Sequence, residues 1–163
     1  MWRIEMKRII SLICIILLTL TLAGCSKGED MKSPNTADEF KSEMEELGLS
    51  VVDQTSSANG DSSYQKIYVA TDGDKYSFEY YFMTGINPAK NIYTYLTENL
   101  DATYTDDSSA VIVANSSEES GKYEVTASDY YCAVLHNQNT VLYVTSQIDN
   151  ADEAKDLISK LGY

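Results

Sequence analysis

His136 is the one histidine in the chain, and so the one side chain that a Ser-His-Asp or Cys-His arrangement could use as its base. It ends an apolar run and enters Asn137-Gln138-Asn139, a turn composition, so it is expected to be solvated rather than poised beside a nucleophile. Ser63-Tyr64-Gln65-Lys66 fits the S-x-x-K spacing, which on a helix brings an amine within one turn of a hydroxyl. Here the four residues open a predicted strand, where positions three apart point to opposite faces. Ser128-Asp129-Tyr130 matches the accompanying S-D-N motif only in part, and neither Lys-Thr-Gly nor Gly-x-Ser-x-Gly occurs. No catalytic residue is assigned, and an envelope hydrolase is the weakest functional reading.

A single histidine with Cys132, which lies in the apolar run Tyr131-Cys132-Ala133-Val134-Leu135, does not make a four-ligand zinc site. The thiol reads as buried and inert. Asp72-Gly73-Asp74, residues 101–107 (DATYTDD) and Glu118-Glu119 carry the oxygens that calcium prefers, without the spacing of a twelve-residue calcium loop. They read first as turn formers and a solvated acidic face. Small-ligand or calcium binding is therefore the second functional reading, and no metal or cofactor is assigned.

Tyrosine is the unusual component. All 13 tyrosines follow residue 24, and the pairs Tyr80-Tyr81 and Tyr130-Tyr131 place a ring on each face of a strand. Exposed aromatics beside polar groups suit stacking on sugars or packing against a protein partner, although tyrosine is also a good strand former. Tyr64, Tyr68, Tyr81, Tyr131 and Tyr143 are the candidate binding face.

The elements that would position these groups follow from pattern. Thr36-Ala37-Asp38-Glu39 has capping-box spacing, and Phe40, Met44 and Leu47 continue a helical stripe to Gly48. Residues 49–54 (LSVVDQ) form a short strand, and residues 55–63 a loop. Residues 65–71 and 75–83 flank Asp72-Gly73-Asp74 as a hairpin, with Tyr76, Phe78, Tyr80 and Phe82 on one face. Asn87-Pro88 starts a second helix, striped by Ala89, Ile92, Tyr93, Leu96 and Leu100, which ends near Asn99 or Leu100. Strands follow over residues 110–114, 123–126, 130–136 and 141–147, with residues 115–121 as an acidic turn. Asn150-Ala151-Asp152-Glu153 caps a last helix that runs to Leu161-Gly162. The first and last helices share six of thirteen positions when residues 37–49 are laid over 151–163, which makes an internal repeat possible. The order α-βββ-α-ββββ-α with hairpin turns predicts an α+β fold of two layers, an antiparallel sheet with about three helices packed on one face.

The N-terminal segment sets the address. Met6-Lys7-Arg8 precedes Ile9 to Leu22, in which only Ser11, Thr19 and Thr21 are polar. Fourteen such residues rise about 21 Å at 1.5 Å each, short of the roughly 30 Å hydrocarbon core, so a signal peptide fits better than a permanent span. Leu22-Ala23-Gly24-Cys25 resembles the lipobox of bacterial lipoproteins, in which the cysteine is lipidated and becomes the N-terminus after cleavage. The resemblance implies residues 1–24 as signal peptide and Cys25 as the lipidation site, with diacylglycerol holding the chain at the extracytoplasmic face of the cell membrane. Residues 25–35 then read as the lipidated cysteine and a flexible tether, and residues 36–163 as one α+β domain. Element order, lipobox and the closing Lys160-Leu161-Gly162-Tyr163 together resemble small cell-surface lipoproteins of Gram-positive bacteria, a likeness that carries over no catalytic residues.

Charge narrows the partners. Three of the 12 Lys+Arg and one of the 25 Asp+Glu precede Cys25, which leaves 9 lysines, no arginine and 24 carboxylates, a net charge of −15. Such a domain lacks the basic stripe and guanidinium forks that nucleic acid would require. The leading expectation is a non-enzymatic binding domain for an envelope protein or glycan.

Overall fold

The computed structural model describes residues 35–163. Cys25 and the lipobox lie outside these residues, as does the tether except for Asn35. Among the described residues three helices, α1 (Ala37–Glu46), α2 (Ile86–Tyr104) and α3 (Ala151–Lys160), accompany seven strands. The strands are β1 (Ser50–Asp53), β2 (Tyr64–Asp72), β3 (Tyr76–Met83), β4 (Val111–Ser116), β5 (Ser120–Thr126), β6 (Tyr130–Asn137) and β7 (Thr140–Gln147). Short 3-10 turns at Thr55–Ala58 and Ile148–Asn150 complete the α+β order. Among the described residues no helix is long and apolar enough to cross a membrane.

The strands form one antiparallel sheet in the order β1-β2-β3-β7-β6-β5-β4. Two meanders, β1 to β3 and β4 to β7, meet where β3 pairs with β7 at the centre, Phe78 opposite Val144 and Tyr80 opposite Leu142. The Asp72-Gly73-Asp74 turn forms as expected, with Gly73 at φ 52° and the Lys75 N–H donating to the Asp72 carbonyl at 3.0 Å. Its consequence is a front face carrying Tyr76, Phe78, Tyr80 and Phe82.

Helices α1 and α3 cover that front face. Phe40 of α1 stacks on Tyr80 at 4.5 Å between ring centroids, while Ala154, Leu157 and Ile158 of α3 join the same core. Burying each large side chain of this kind contributes about 1.5–3 kcal/mol. Helix α2 lies on the opposite, back face, where Ala89 and Leu100 pack with Met83, Val125, Cys132, Val134 and Val141. The expected packing of every helix on one face is therefore corrected to three layers. The reason is that β6 and β7 are apolar on both sides, Ala133 and Leu135 facing front while Cys132 and Val134 face back, and both surfaces need cover.

Local chemistry sets the helix ends. The Thr36–Glu39 capping box is formed, with the Glu39 N–H donating to Thr36 Oγ1 at 3.3 Å and the Thr36 N–H to Glu39 Oε2 at 2.8 Å. Gly48 follows the C-cap of α1, Leu47, and Gly162 that of α3, Leu161, both glycines at φ 86°. The following N–H groups, of Leu49 and Tyr163, donate back to the Met44 and Ile158 carbonyls, so the shared sequence of the two helices builds the same C-terminal motif. Asn150 makes no side-chain cap; the 3-10 turn that it closes leads the chain into α3 instead.

Helix α2 begins after Gly85 and runs past Leu100 to Tyr104, because Tyr104 continues the buried stripe one turn beyond Leu100 and no glycine or proline intervenes. At 1.5 Å per residue, 19 residues span about 28 Å. That length carries the chain from central β3 across β7, β6 and β5, so that β4 forms the far edge of the sheet.

Candidate functional site

The five candidate tyrosines do not share a face. Tyr68 and Tyr131 point to the front and are buried in the α1–α3 core. The Tyr131 hydroxyl donates to Glu124 Oε1 at 2.5 Å and Lys155 lies 5.0 Å above its ring, while burial first and that carboxylate second push the phenol far above its usual range. Tyr64, Tyr81 and Tyr143 lie together on the back face, half-buried beside α2, with Tyr64 and Tyr81 6.3 Å apart and the Tyr81 hydroxyl on Glu79 Oε2 at 2.5 Å. Burial raises Tyr143 to about 12. Of the five, Tyr81 and Tyr131 donate to carboxylates, and all five are buried or half-buried.

The side chains with chemical potential are placed apart. His136 is 2% exposed, which corrects the expectation of a solvated histidine: the register turns it to the back face, opposite Val141, against the Tyr93 ring at 5.9 Å. Its Nε2 lies 2.7 Å from the Gln138 carbonyl, and desolvation holds its pKa below the usual value. Cys132 is buried with Sγ 3.7 Å from the Tyr104 hydroxyl, and burial raises its pKa, which suppresses the thiolate. Lys66 of the S-x-x-K motif is engaged 2.9 Å from Asp53.

The acidic turns are held by their own neighbours. Asp72 pairs with Lys75 at 2.9 Å, and Asp107 Oδ1 accepts from the Ser109 N–H and hydroxyl at 2.8 and 2.6 Å. Among the described residues no group of three or more His, Cys, Asp or Glu is placed to hold a metal ion. Asp129, Tyr130, Gln147, Ile148 and Asp149 line a shallow hollow at one end of β6 and β7.

The surface that packing leaves open is β4. All six of its residues are exposed, with Val111 at 62%, Ile112 at 41% and Val113 at 54%, so valines stand bare on the front face and the isoleucine on the back. Neither helix layer reaches it. The backbone groups of its outer side follow from the ladder: the Ser117 N–H donates to the Ser120 carbonyl at 2.7 Å, and antiparallel alternation then turns Val111, Val113 and Asn115 toward β5. Ile112, Ala114 and Ser116 consequently point their N–H and C=O groups outward.

The two edges of the sheet differ. Edge strand β1 has four residues, ends at Asp53 and is flanked by a 3-10 turn. Edge strand β4 has six, with no proline, no charged residue and an unbroken register, and so lacks the devices that ordinarily blunt an edge. Sequence reading placed a strand here but not its exposure; the available signal was an uncharged, uniformly apolar strand, Ala110-Val111-Ile112-Val113-Ala114, following a helix long enough to reach the sheet edge. Comparison of the chain with protein-family models, with curated proteins and with solved structures found no match.

Proposed function

We propose that this chain is a lipoprotein, anchored through lipid on Cys25 at the extracytoplasmic face of the cell membrane, whose folded unit is a non-enzymatic binding module for another envelope protein. The observation that carries the reading is the exposed β4 edge, where Val111, Ile112 and Val113 stand in water. An edge strand with bare aliphatic side chains on both faces and a row of unpaired N–H and C=O groups is a template for another chain. A protein partner suits this surface better than a glycan, because its side chains offer aliphatic contact and its backbone offers unpaired hydrogen-bonding groups. His136 is buried with its Nε2 engaged by the Gln138 carbonyl, an environment that suits a packed side chain better than a general base and supports a binding role over a hydrolytic one.

The test is a photo-crosslinking amino acid placed at position 112 of the full-length protein in cells, with the same group at exposed Asp156 on α3 as the comparison. A discrete adduct from position 112 alone is expected. Equal labelling from both positions, or none from 112, would remove the reading.

A further inference from the structure

We propose that β4 docks its partner by strand addition, and that the added strand is an extended segment with an aliphatic centre and lysine or arginine at its ends. This rests on the reading of β4 as the docking surface and deepens it to a mode and a partner chemistry.

The mode follows from the backbone. Ile112, Ala114 and Ser116 present their N–H and C=O groups outward in the spacing an incoming strand requires, and β4 keeps an unbroken register over its whole length. Val111 and Val113 project to one side of the sheet and Ile112 to the other, so the added strand would find aliphatic neighbours on both faces. Side-chain pairs across neighbouring strands stabilise the pairing, and they favour β-branched partners here.

The charge of the partner follows from what brackets the strand. Asp106 and Asp107 are exposed before β4, and Glu118 and Glu119 are exposed in the turn after it. Lys122, on the neighbouring strand, is already paired with Glu124 at 2.9 Å. Both ends of the edge are therefore acidic around a neutral, aliphatic centre. A second copy of the chain fits poorly: a two-fold pairing centred on Val113 sets Ile112 opposite Ala114, but at both ends it brings the acidic turn before β4 of one copy, Asp106-Asp107, toward the Glu118-Glu119 turn of the other. Like charges facing each other in this way are destabilising, whereas a strand with basic ends meets an acidic group at each end.

The experiment uses the purified full-length protein in an uncharged detergent and a fluorescent peptide of alternating threonine and valine with two lysines at each end. Saturable binding is expected, about tenfold weaker at high salt, and a peptide with the same centre and glutamate ends should not bind. Ala114→Pro removes an outward N–H at a position where an edge strand tolerates proline, so it should weaken binding at least tenfold while the melting temperature stays within a few degrees. Should that variant fold poorly, Ile112→Lys sets a cation against the lysine-ended peptide and should weaken it likewise.

Equal binding of the glutamate-ended peptide, or undiminished binding to both variants, would overturn the inference. A concentration-dependent dimer in sedimentation, lost in Ala114→Pro, would overturn it in favour of a second copy. No peptide binding alongside a persisting adduct at position 112 would reject strand addition but leave the docking surface standing; loss of both would reject the surface itself.

Discussion

Gly121 shows how closely the back face is packed at the level of single atoms. A Cβ at this position would lie 2.7 Å from the Tyr93 ring, which also rests against His136. Gly121→Ala is expected to cost about 1–3 kcal/mol, with Tyr93→Ala in the same chain cancelling much of the clash, and denaturant unfolding of the two single variants and the double variant reads that coupling. His136 makes a separate, pH-dependent prediction. Its pKa is lowered by burial first, with Lys90 adding to the effect and the Gln138 carbonyl opposing it. Because the unfolded chain protonates near pH 6.5 while the folded chain resists protonation, the stability from the neutral ring is complete above that pH and falls as pH drops through it. Melting temperature should therefore decline more steeply between pH 7.5 and 5.5 for the natural chain than for His136→Gln; parallel curves would contradict the burial account. The sequence pattern located His136 at a strand end but assigned it to solvent, since one residue of register decides between solvent and the underside of α2.

At the scale of elements, short-range chemistry was legible and two-sided burial was not. The capping box, the Asp72-Gly73-Asp74 hairpin and the alternating aromatics of β3 each need only a few neighbouring residues to be recognised, and each forms. The placement of α2 depends on which strands have a second apolar face. That information was present in the uninterrupted runs of β6 and β7, where continuous rather than alternating hydrophobicity accompanies cover on both sides. The caps offer a direct test of local reasoning. Thr36→Ala should destabilise by about 1 kcal/mol because it removes a formed capping box, whereas Asn150→Ala should change little because its side chain caps nothing; equal losses in thermal unfolding would contradict this difference.

For the whole molecule, the sequence supplies an expected anchor and the structure supplies an open edge. Asn35, expected at the end of the tether, already belongs to the folded unit, its carbonyl accepting from the Tyr80 hydroxyl at 2.5 Å and its amide donating to Glu43 Oε2 at 2.5 Å. Cys25→Ala should move the protein from the membrane pellet to the soluble fraction of cell lysates, and retention in the pellet would contradict lipid anchoring at that residue. The candidate site was only partly legible, because tyrosines draw attention by number while the exposure of Val111 and Val113 depends on where the chain returns after α2. The most direct measurement of the central claim is hydrogen–deuterium exchange of the full-length protein in its native envelope vesicles and after purification. The docking account predicts that the outward amides of Ile112, Ala114 and Ser116 exchange at least tenfold more slowly in the envelope than in the isolated protein, while the exposed face of α3 is unchanged. Identical exchange of these three amides in both settings would contradict it.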